Sequence, residues 1–148
     1  MSNTSGDKKE FLSVVMPVYR EARHIGTILA AVRDALAEVD ISFEFVLVDD
    51  GSPDETWLVL NEQAKTFPML RAARLSRNFG KEPALCAGLE MARGDAVVVM
   101  DSDGQHPPSL LPELVRTWRE TDVDIVEAMK ITRGKETFSA KSLPDCFI

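Results

Sequence analysis

Residues 96–108 read AVVVMDSDGQHPP, an apolar run that ends abruptly in two carboxylates one residue apart. The run from Val97 to Met100 predicts a strand that is buried on both faces. Asp101 and Asp103 follow it, and two such groups repel each other and are costly to desolvate unless a cation lies nearby. Folding alone gives no reason for paired like charges at the end of a core strand. The stretch therefore indicates a buried strand with a functional edge beside it.

Strands and helices alternate along the rest of the chain, which predicts an α/β fold. Apolar runs predict strands at residues 12–18, 43–48, 70–75, 96–100 and 124–129, with helices predicted at 22–39, 52–67, 83–92 and 109–120. The second helix is expected to begin in a capping box formed by Ser52, Pro53 and Glu55. Alternation of this kind produces parallel βαβ units with right-handed crossovers. We therefore expect a mostly parallel sheet with helices on both faces.

Polar residues recur where the predicted strands end. Ligands of open parallel sheets bind beyond the carboxyl ends of the strands, so residues at these ends can form one site. Four strand ends supply such residues in this chain: Tyr19 and Glu21, Asp49 and Asp50, Arg77 and Asn78, and Asp101 and Asp103. The pattern predicts a single polar rim at one edge of the sheet.

The chain is long enough for one core, since 45% of its 148 residues are hydrophobic. Residues 1–10 are polar and predict a flexible N-terminal segment, and residues 11–133 carry the strand–helix pattern of one domain. Residues 134–148 show no clear period and predict an irregular tail, as if the sheet were truncated on its C-terminal side.

The charge balance excludes some classes of function. Seventeen Lys and Arg against 24 Asp and Glu give a net charge of -7, whereas nucleic-acid binding requires a basic face. No apolar stretch approaches the roughly 18 to 20 residues of a membrane span, and the polar residues 1–10 are not expected to act as a signal peptide. The two cysteines form neither a disulfide framework nor a metal cluster. A cytoplasmic location is therefore expected, and an anionic substrate would need a metal ion or a few well-placed basic residues.

The spacing of Asp101 and Asp103 at a strand end suits a hard divalent cation. One carboxylate can bind the ion directly, the other directly or through water, and Gln105 adds a neutral oxygen. In the alternative interpretation, the carboxylates cap the helix that begins near Ser109 and turn the chain.

The acidic pair Asp49 and Asp50 has two interpretations that the residues alone leave open. The pair precedes a Gly-Ser turn and a helix, so it can solvate the turn while Ser52 caps the helix. One aspartate can instead accept hydrogen bonds from the base or ribose of a nucleotide.

Four motifs in a fixed order carry a family resemblance. They are PVYRE at 17–21, VDDGSPDET at 48–56, RNFGKE at 77–82 and DSDGQHPP at 101–108. Together they resemble the family 2 glycosyltransferases, specifically the branch of dolichol-phosphate mannose synthase and bacterial polyprenyl-phosphate sugar transferases. The resemblance covers roughly residues 11 to 133 and departs from the family at Arg20, where Asn is usual.

The resemblance implies a GT-A (Rossmann-like) fold that binds a UDP- or GDP-linked sugar with Mg²⁺ or Mn²⁺. It implies inverting transfer of the sugar to a dolichyl or undecaprenyl phosphate, with association at the cytoplasmic face of a membrane. The residues it implies for substrate are Pro17, Tyr19, Glu21, Val48, Asp50 and Ser102, with Lys130 or Arg133 near phosphate. Asp101, Asp103 and Gln105 are implied as both catalytic and metal-binding residues.

Two other classes of protein fit some of the same features. A nucleotide-sugar binding module would keep the donor rim and lack transfer activity because the acceptor half is missing. A metal-dependent phosphotransferase of the receiver or haloacid dehalogenase type also clusters aspartates at strand ends. Those folds place the key acidic residues after the first strand, whereas here that strand ends in Pro17, Val18 and Tyr19.

Overall fold

The computed structural model describes residues 9–102, 107–121, 125–131 and 135–141, the last two segments by their backbone. Six strands and four α-helices lie in this part of the chain. In order they are β1 (Phe11–Val18), α1 (Ile25–Ala37), β2 (Ser42–Asp49), α2 (Thr56–Thr66), β3 (Leu70–Arg74), α3 (Lys81–Met91), β4 (Ala96–Val99), α4 (Leu111–Glu120), β5 (Ile125–Ile131) and β6 (Lys135–Lys141).

A four-stranded parallel sheet in the order β3-β2-β1-β4 forms the core of the first compact unit, which contains the described residues up to 30 and from 40 to 107. Val14 of β1 is level with Phe45 of β2 on one side and with Val98 of β4 on the other. The two central strands are almost wholly buried, and α3 packs against both of them. The prediction of a parallel α/β sheet is confirmed.

The prediction that β4 is buried on both faces is wrong. Val97 and Val99 are 41% and 43% exposed, and every second residue of the strand is exposed. Within the described residues β4 pairs with β1 alone, so it is an edge strand of the sheet. The exposure of Val97 and Val99 shows that one face of this strand is also uncovered. An apolar run therefore identified the strand without revealing how it is covered.

The second compact unit contains residues 31–39 and the described residues from 108 onwards. Its strands β5 and β6 pair antiparallel, with Ala128 opposite Phe138. This pairing corrects two expectations: β5 is not a fifth strand of the parallel sheet, and residues 135–141 are regular strand where an irregular tail was predicted. The Arg119 guanidinium of α4 donates a hydrogen bond to the carbonyl of Val39 at 2.6 Å.

A buried polar network fixes the loop that leads from α3 into β4. Glu44 Oε1 accepts hydrogen bonds from the Ser13 hydroxyl at 2.7 Å and the Arg93 amide at 2.8 Å, while its Oε2 lies 3.1 Å from Arg71 Nη1. The Gly94 amide donates to the Ser13 hydroxyl at 2.8 Å. Burial raises the pKa of the Glu44 carboxyl, but these hydrogen bonds and the Arg71 charge outweigh burial and hold that pKa below its ordinary value of 4.5. The network thereby sets where β4 begins.

Replacing Glu44 with Gln should lower the free energy of unfolding at pH 7 by about 1 to 3 kcal/mol. The amide NH2 group cannot accept from Arg71 Nη1, which keeps the Met91 carbonyl as an acceptor but loses its charged partner. The pKa of Glu44 is lower in the folded protein than in the unfolded chain. The charged form therefore stabilises the fold above about pH 4.5, and this contribution is lost as the pH falls through the lowered pKa. Urea unfolding at pH 7, 5 and 4 should show that the difference in free energy of unfolding between the two proteins becomes smaller as the pH falls.

The control is Glu62→Gln, which removes a carboxylate from a surface ion pair on α2 and should change the free energy of unfolding little. A Glu44→Gln deficit that is equal at pH 7 and pH 4 would contradict this account.

Two helix glycines offer a matched test of how tightly α3 packs. A Cβ at Gly88 of α3 would lie 2.5 Å from Cγ1 of Val15, whereas a Cβ at Gly26 of α1 would meet only the flexible end of Gln63 at 3.0 Å. Gly88→Ala should therefore destabilise the protein by about 1 to 3 kcal/mol through overpacking. Gly26→Ala should be neutral or stabilise it by up to about 1 kcal/mol through helix propensity. Thermal unfolding of both variants measures this, and equal shifts would mean that α3 does not lie so close to the sheet.

Candidate functional site

A pocket of about 290 Å³ opens where β1 and β4 end. The chain leaves β1 toward β2 and β3 on one side and returns to β4 on the other, so the strand order reverses at this point. Open α/β sheets bind ligands at such a reversal, because the loops diverge and leave a crevice. The residues that line the pocket are Pro17, Val18, Tyr19, Glu21, Asp50, Asn78, Gly80, Lys81, Asp101 and Ser102.

The turn after β2 holds the segment that follows β1. Asp49 is fully buried, and its Oδ1 accepts a hydrogen bond from the Ser52 amide at 3.0 Å. The Ser52 hydroxyl accepts one from the Arg20 amide at 3.0 Å, and the Thr56 hydroxyl accepts one from the Glu21 amide at 3.2 Å. Ser52 therefore positions the pocket wall and does not cap a helix.

The predicted capping box at residues 52–55 is accordingly wrong. The second helix begins only at Thr56, and the residue before it, Glu55, makes no side-chain capping bond. Asp54 supplies the local hydrogen bond instead, since its Oδ1 accepts from the Thr56 amide at 3.1 Å. Ser52 is unavailable as a cap because its hydroxyl accepts from the chain that follows β1.

Of the two adjacent aspartates at the end of β2, only Asp50 lines the pocket. Its Oδ1 accepts a hydrogen bond from the Phe79 amide at 2.8 Å and its Oδ2 accepts one from the Gly80 amide at 3.1 Å. The other aspartate, Asp49, forms an ion pair with Arg74 at 3.6 Å. Asp49 is thus a structural residue, while Asp50 both fixes the loop at 78–80 and faces the pocket.

Asp101 lies directly beyond β4, on the pocket wall, with its side chain 16% exposed. It forms an ion pair with the ammonium of Lys81, the first residue of α3. Ser102 is buried, and its hydroxyl lies 3.4 Å from the Pro17 carbonyl, to which it donates a hydrogen bond. This contact joins the ends of β4 and β1 across the pocket.

The structure brings six predicted site residues together around the pocket: Pro17, Tyr19, Glu21, Asp50, Asp101 and Ser102. Val48 is fully buried in the sheet beneath α3 and is not a lining residue. Asp103, Gln105 and Arg133 lie outside the described residues, and Lys130 lies on β5, where only the backbone is described.

Asn78 lies in the pocket wall, as its place on the predicted polar rim implies, whereas Gly80 and Lys81 were not predicted as binding residues. The available signal was the position of Lys81 in the motif RNFGKE, between the predicted strand at 70–75 and the predicted helix at 83–92.

The carboxylate oxygens at Asp101 are suitable ligands for a divalent cation. Among the lining residues, Glu21, Asp50 and Asp101 carry carboxyl groups, and Lys81 alone carries an ammonium. The carboxylate of Asp101 is already paired with a positive charge, and carboxylate oxygens are preferred ligands of Mg²⁺ and Mn²⁺. Within the described residues, no three His, Cys, Asp or Glu side chains lie close enough to hold a metal without further ligands.

The described part of the chain contains no helix that is both long enough and apolar enough to cross a membrane.

Comparison with known proteins connects this site to one family. The family model "Glycosyl transferase family 2" matches residues 13–144. An uncharacterised glycosyltransferase of Synechocystis sp. is 41% identical over 127 residues, which cover 86% of this chain and 40% of that protein. The undecaprenyl-phosphate 4-deoxy-4-formamido-L-arabinose transferase of Pseudomonas fluorescens is 37% identical over 131 residues, which cover 87% of this chain and 38% of that protein. The chain thus spans about two fifths of the length of these relatives.

A solved structure shares the fold as well. The mannosyltransferase of Pyrobaculum calidifontis, solved in complex with GDP-Man and Mn²⁺, superposes with a TM-score of 0.69 at 28% identity, over 86% of this chain and 38% of that one. The structural neighbours are GT-A glycosyltransferases, so the predicted GT-A fold is confirmed. The sheet topology, the ordered motifs and the family match agree, and the chain belongs to glycosyl transferase family 2.

Proposed function

We propose that the chain is the donor-binding part of an inverting, metal-dependent glycosyltransferase that moves a sugar from a nucleotide-diphosphate sugar to a polyprenyl phosphate. The observation that carries this proposal is the placement of Asp101 at the strand reversal, in a pocket lined by three carboxyl groups and one ammonium. The names of two comparison proteins support it. One is an undecaprenyl-phosphate sugar transferase, and the other was solved with GDP-Man and Mn²⁺.

Different residues of the pocket wall would contact the nucleoside and the metal ion. Tyr19, Glu21 and Asp50 follow β1 and β2 and would contact the nucleoside. Asp101 would hold the metal together with Asp103 and Gln105, and the bound ion would neutralise the charge that grows on the leaving diphosphate.

The acceptor phosphate needs little activation from the protein. A phosphate monoester has a second pKa of about 6, so at neutral pH it is already an anionic nucleophile. The role of the chain is then to orient the donor and to stabilise the leaving group, and no strong general base is required near Asp101.

A labelled-donor assay tests the proposal and separates it from its alternatives. The protein is incubated with radiolabelled UDP- and GDP-sugars, with Mn²⁺ or EDTA and with or without undecaprenyl phosphate. Equilibrium binding and the lipid-extracted product are then measured. We expect metal-dependent binding of one nucleotide sugar and, with the acceptor lipid, a labelled lipid product. Binding without product would indicate a binding module, whereas no metal-dependent binding of any nucleotide sugar would overturn the proposal.

A further inference from the structure

The ion pair between Lys81 and Asp101 crosses the candidate donor pocket. Both residues line that pocket, and the Lys81 side chain is 60% exposed, so its ammonium reaches the carboxylate from the open side. Asp101 is the described member of the carboxylate pair proposed to hold the metal. The ammonium of Lys81 therefore occupies a position beside this carboxylate that a metal ion would also need.

Helix stability does not account for a lysine at this position. Lys81 is the first residue of α3, where the helix dipole disfavours a positive charge and favours an acidic residue such as the Glu82 that follows. The interaction of this ammonium with the helix dipole is unfavourable, whereas its ion pair with the carboxylate of Asp101 is favourable.

The loop before Lys81 is built to present it. The Gly80 amide donates to Asp50 Oδ2 and also to Asn78 Oδ1, each at 3.1 Å, and the Phe79 amide donates to Asp50 Oδ1 at 2.8 Å. Gly80 has a φ of +103°, which residues with a side chain rarely adopt. Asp50 therefore fixes the start of α3, including the backbone of Lys81. The side chain of Lys81 has a flexible four-carbon stem and can change its rotamer.

We propose that Lys81 is a built-in counter-cation, whose ammonium neutralises Asp101 in the ligand-free protein and leaves it when a divalent metal binds. The inference rests on the proposed function, because it assumes that Asp101 is a metal ligand. A divalent ion and an ammonium repel each other at one carboxylate, so the metal must displace Lys81. The displaced ammonium remains in the pocket, where it can pair with the diphosphate of the donor. Metal alone should therefore bind more weakly than metal that arrives with a nucleotide diphosphate.

A Mn²⁺ titration without nucleotide tests this inference. Free Mn²⁺ is followed by electron paramagnetic resonance in the wild-type chain and in Lys81→Met, which keeps the length of the side chain and removes its charge. The variant should bind Mn²⁺ roughly three- to tenfold more tightly, since a competing ion pair between partly exposed groups is modest in strength. Lys81→Arg should bind like the wild type. Lys65→Met is the matched control, because it removes one positive charge from the surface of α2 and should leave the affinity unchanged.

The outcomes separate this inference from the function on which it rests. Tighter binding cannot result from local unfolding, so a gain in Lys81→Met supports the displacement directly. Lys81→Gln repeats the measurement if circular dichroism shows that Lys81→Met is unfolded. If the wild type binds Mn²⁺ through Asp101, as judged by loss in Asp101→Asn, and the neutral variants bind no more tightly, the inference about Lys81 alone is overturned. If no protein binds Mn²⁺ even with nucleoside diphosphate present, the metal site is overturned and the inference with it.

Discussion

Replacing Asp101 with Asn should weaken the binding of UDP or GDP in saturating Mn²⁺ by about 100-fold or more. Asp101 lies just beyond β4 on the wall of the candidate donor pocket, and an amide is a much poorer ligand than a carboxylate for a hard cation. The lost metal contact also removes the charge that the ion contributes to diphosphate binding, and about 100-fold corresponds to about 2.7 kcal/mol. Isothermal titration calorimetry in Mn²⁺ and in EDTA measures both effects. Asp103→Ala should behave in the same way.

The effect must be shown to be local. Asp34→Asn removes one carboxylate from an exposed ion pair with Arg33 on α1, so it changes the net charge equally without touching the pocket. This control should bind nucleotide like the wild type in both conditions. Unchanged metal-dependent binding in Asp101→Asn, with the fold intact, would contradict the assignment of Asp101 as a metal ligand.

The central part of the fold was predictable because its signals are local. Long apolar runs marked β1 and β2, and helices between strands required parallel pairing. The exposure of β4 was not predictable in this way, because its neighbours in the sheet are set by contacts distant in sequence. The pairing of β5 with β6 was missed for a related reason. Residues 135–141 read KETFSAK, a polar stretch whose composition does not indicate a strand. It forms β6 by pairing with β5.

The acidic part of the pocket was predictable and the basic part was not. Strand ends of a parallel sheet meet at one edge, so Asp50 and Asp101 were expected there without knowledge of any contact. The basic residues that follow β2 reach four different partners: Arg71 pairs with Glu44, Arg74 with Asp49, Arg77 lies over the ring of Phe79, and Lys81 pairs with Asp101. The sequence shows four similar charges, and only the three-dimensional path of the chain shows which one enters the pocket.

Gly51→Ala should lower the free energy of unfolding by about 3 to 5 kcal/mol, which is at the severe end for a single methyl group. Gly51 follows Asp50 and has a φ of +67°. A Cβ there would lie 2.3 Å from the carbonyl carbon of Arg77 and 2.6 Å from the amide nitrogen of Asn78. Backbone atoms cannot turn aside as a side chain can, so the turn after β2 and the loop at 77–80 would have to separate. Urea unfolding at 25 °C measures the loss.

Left-handed backbone strain must be separated from this close approach. Arg20 has a φ of 53°, so the difference between Arg20→Ala and Arg20→Gly measures the left-handed cost of an alanine, expected to be about 1 kcal/mol. The loss in free energy of unfolding caused by Gly51→Ala should exceed that difference by about 2 kcal/mol or more, and we attribute the excess to the contact with the backbone of residues 77–78. Because Asp50 holds the Phe79 and Gly80 amides, separation of the two loops would also release the start of α3 and withdraw Lys81 from Asp101. If Gly51→Ala lowers the free energy of unfolding only by the difference between Arg20→Ala and Arg20→Gly, the two loops do not approach so closely.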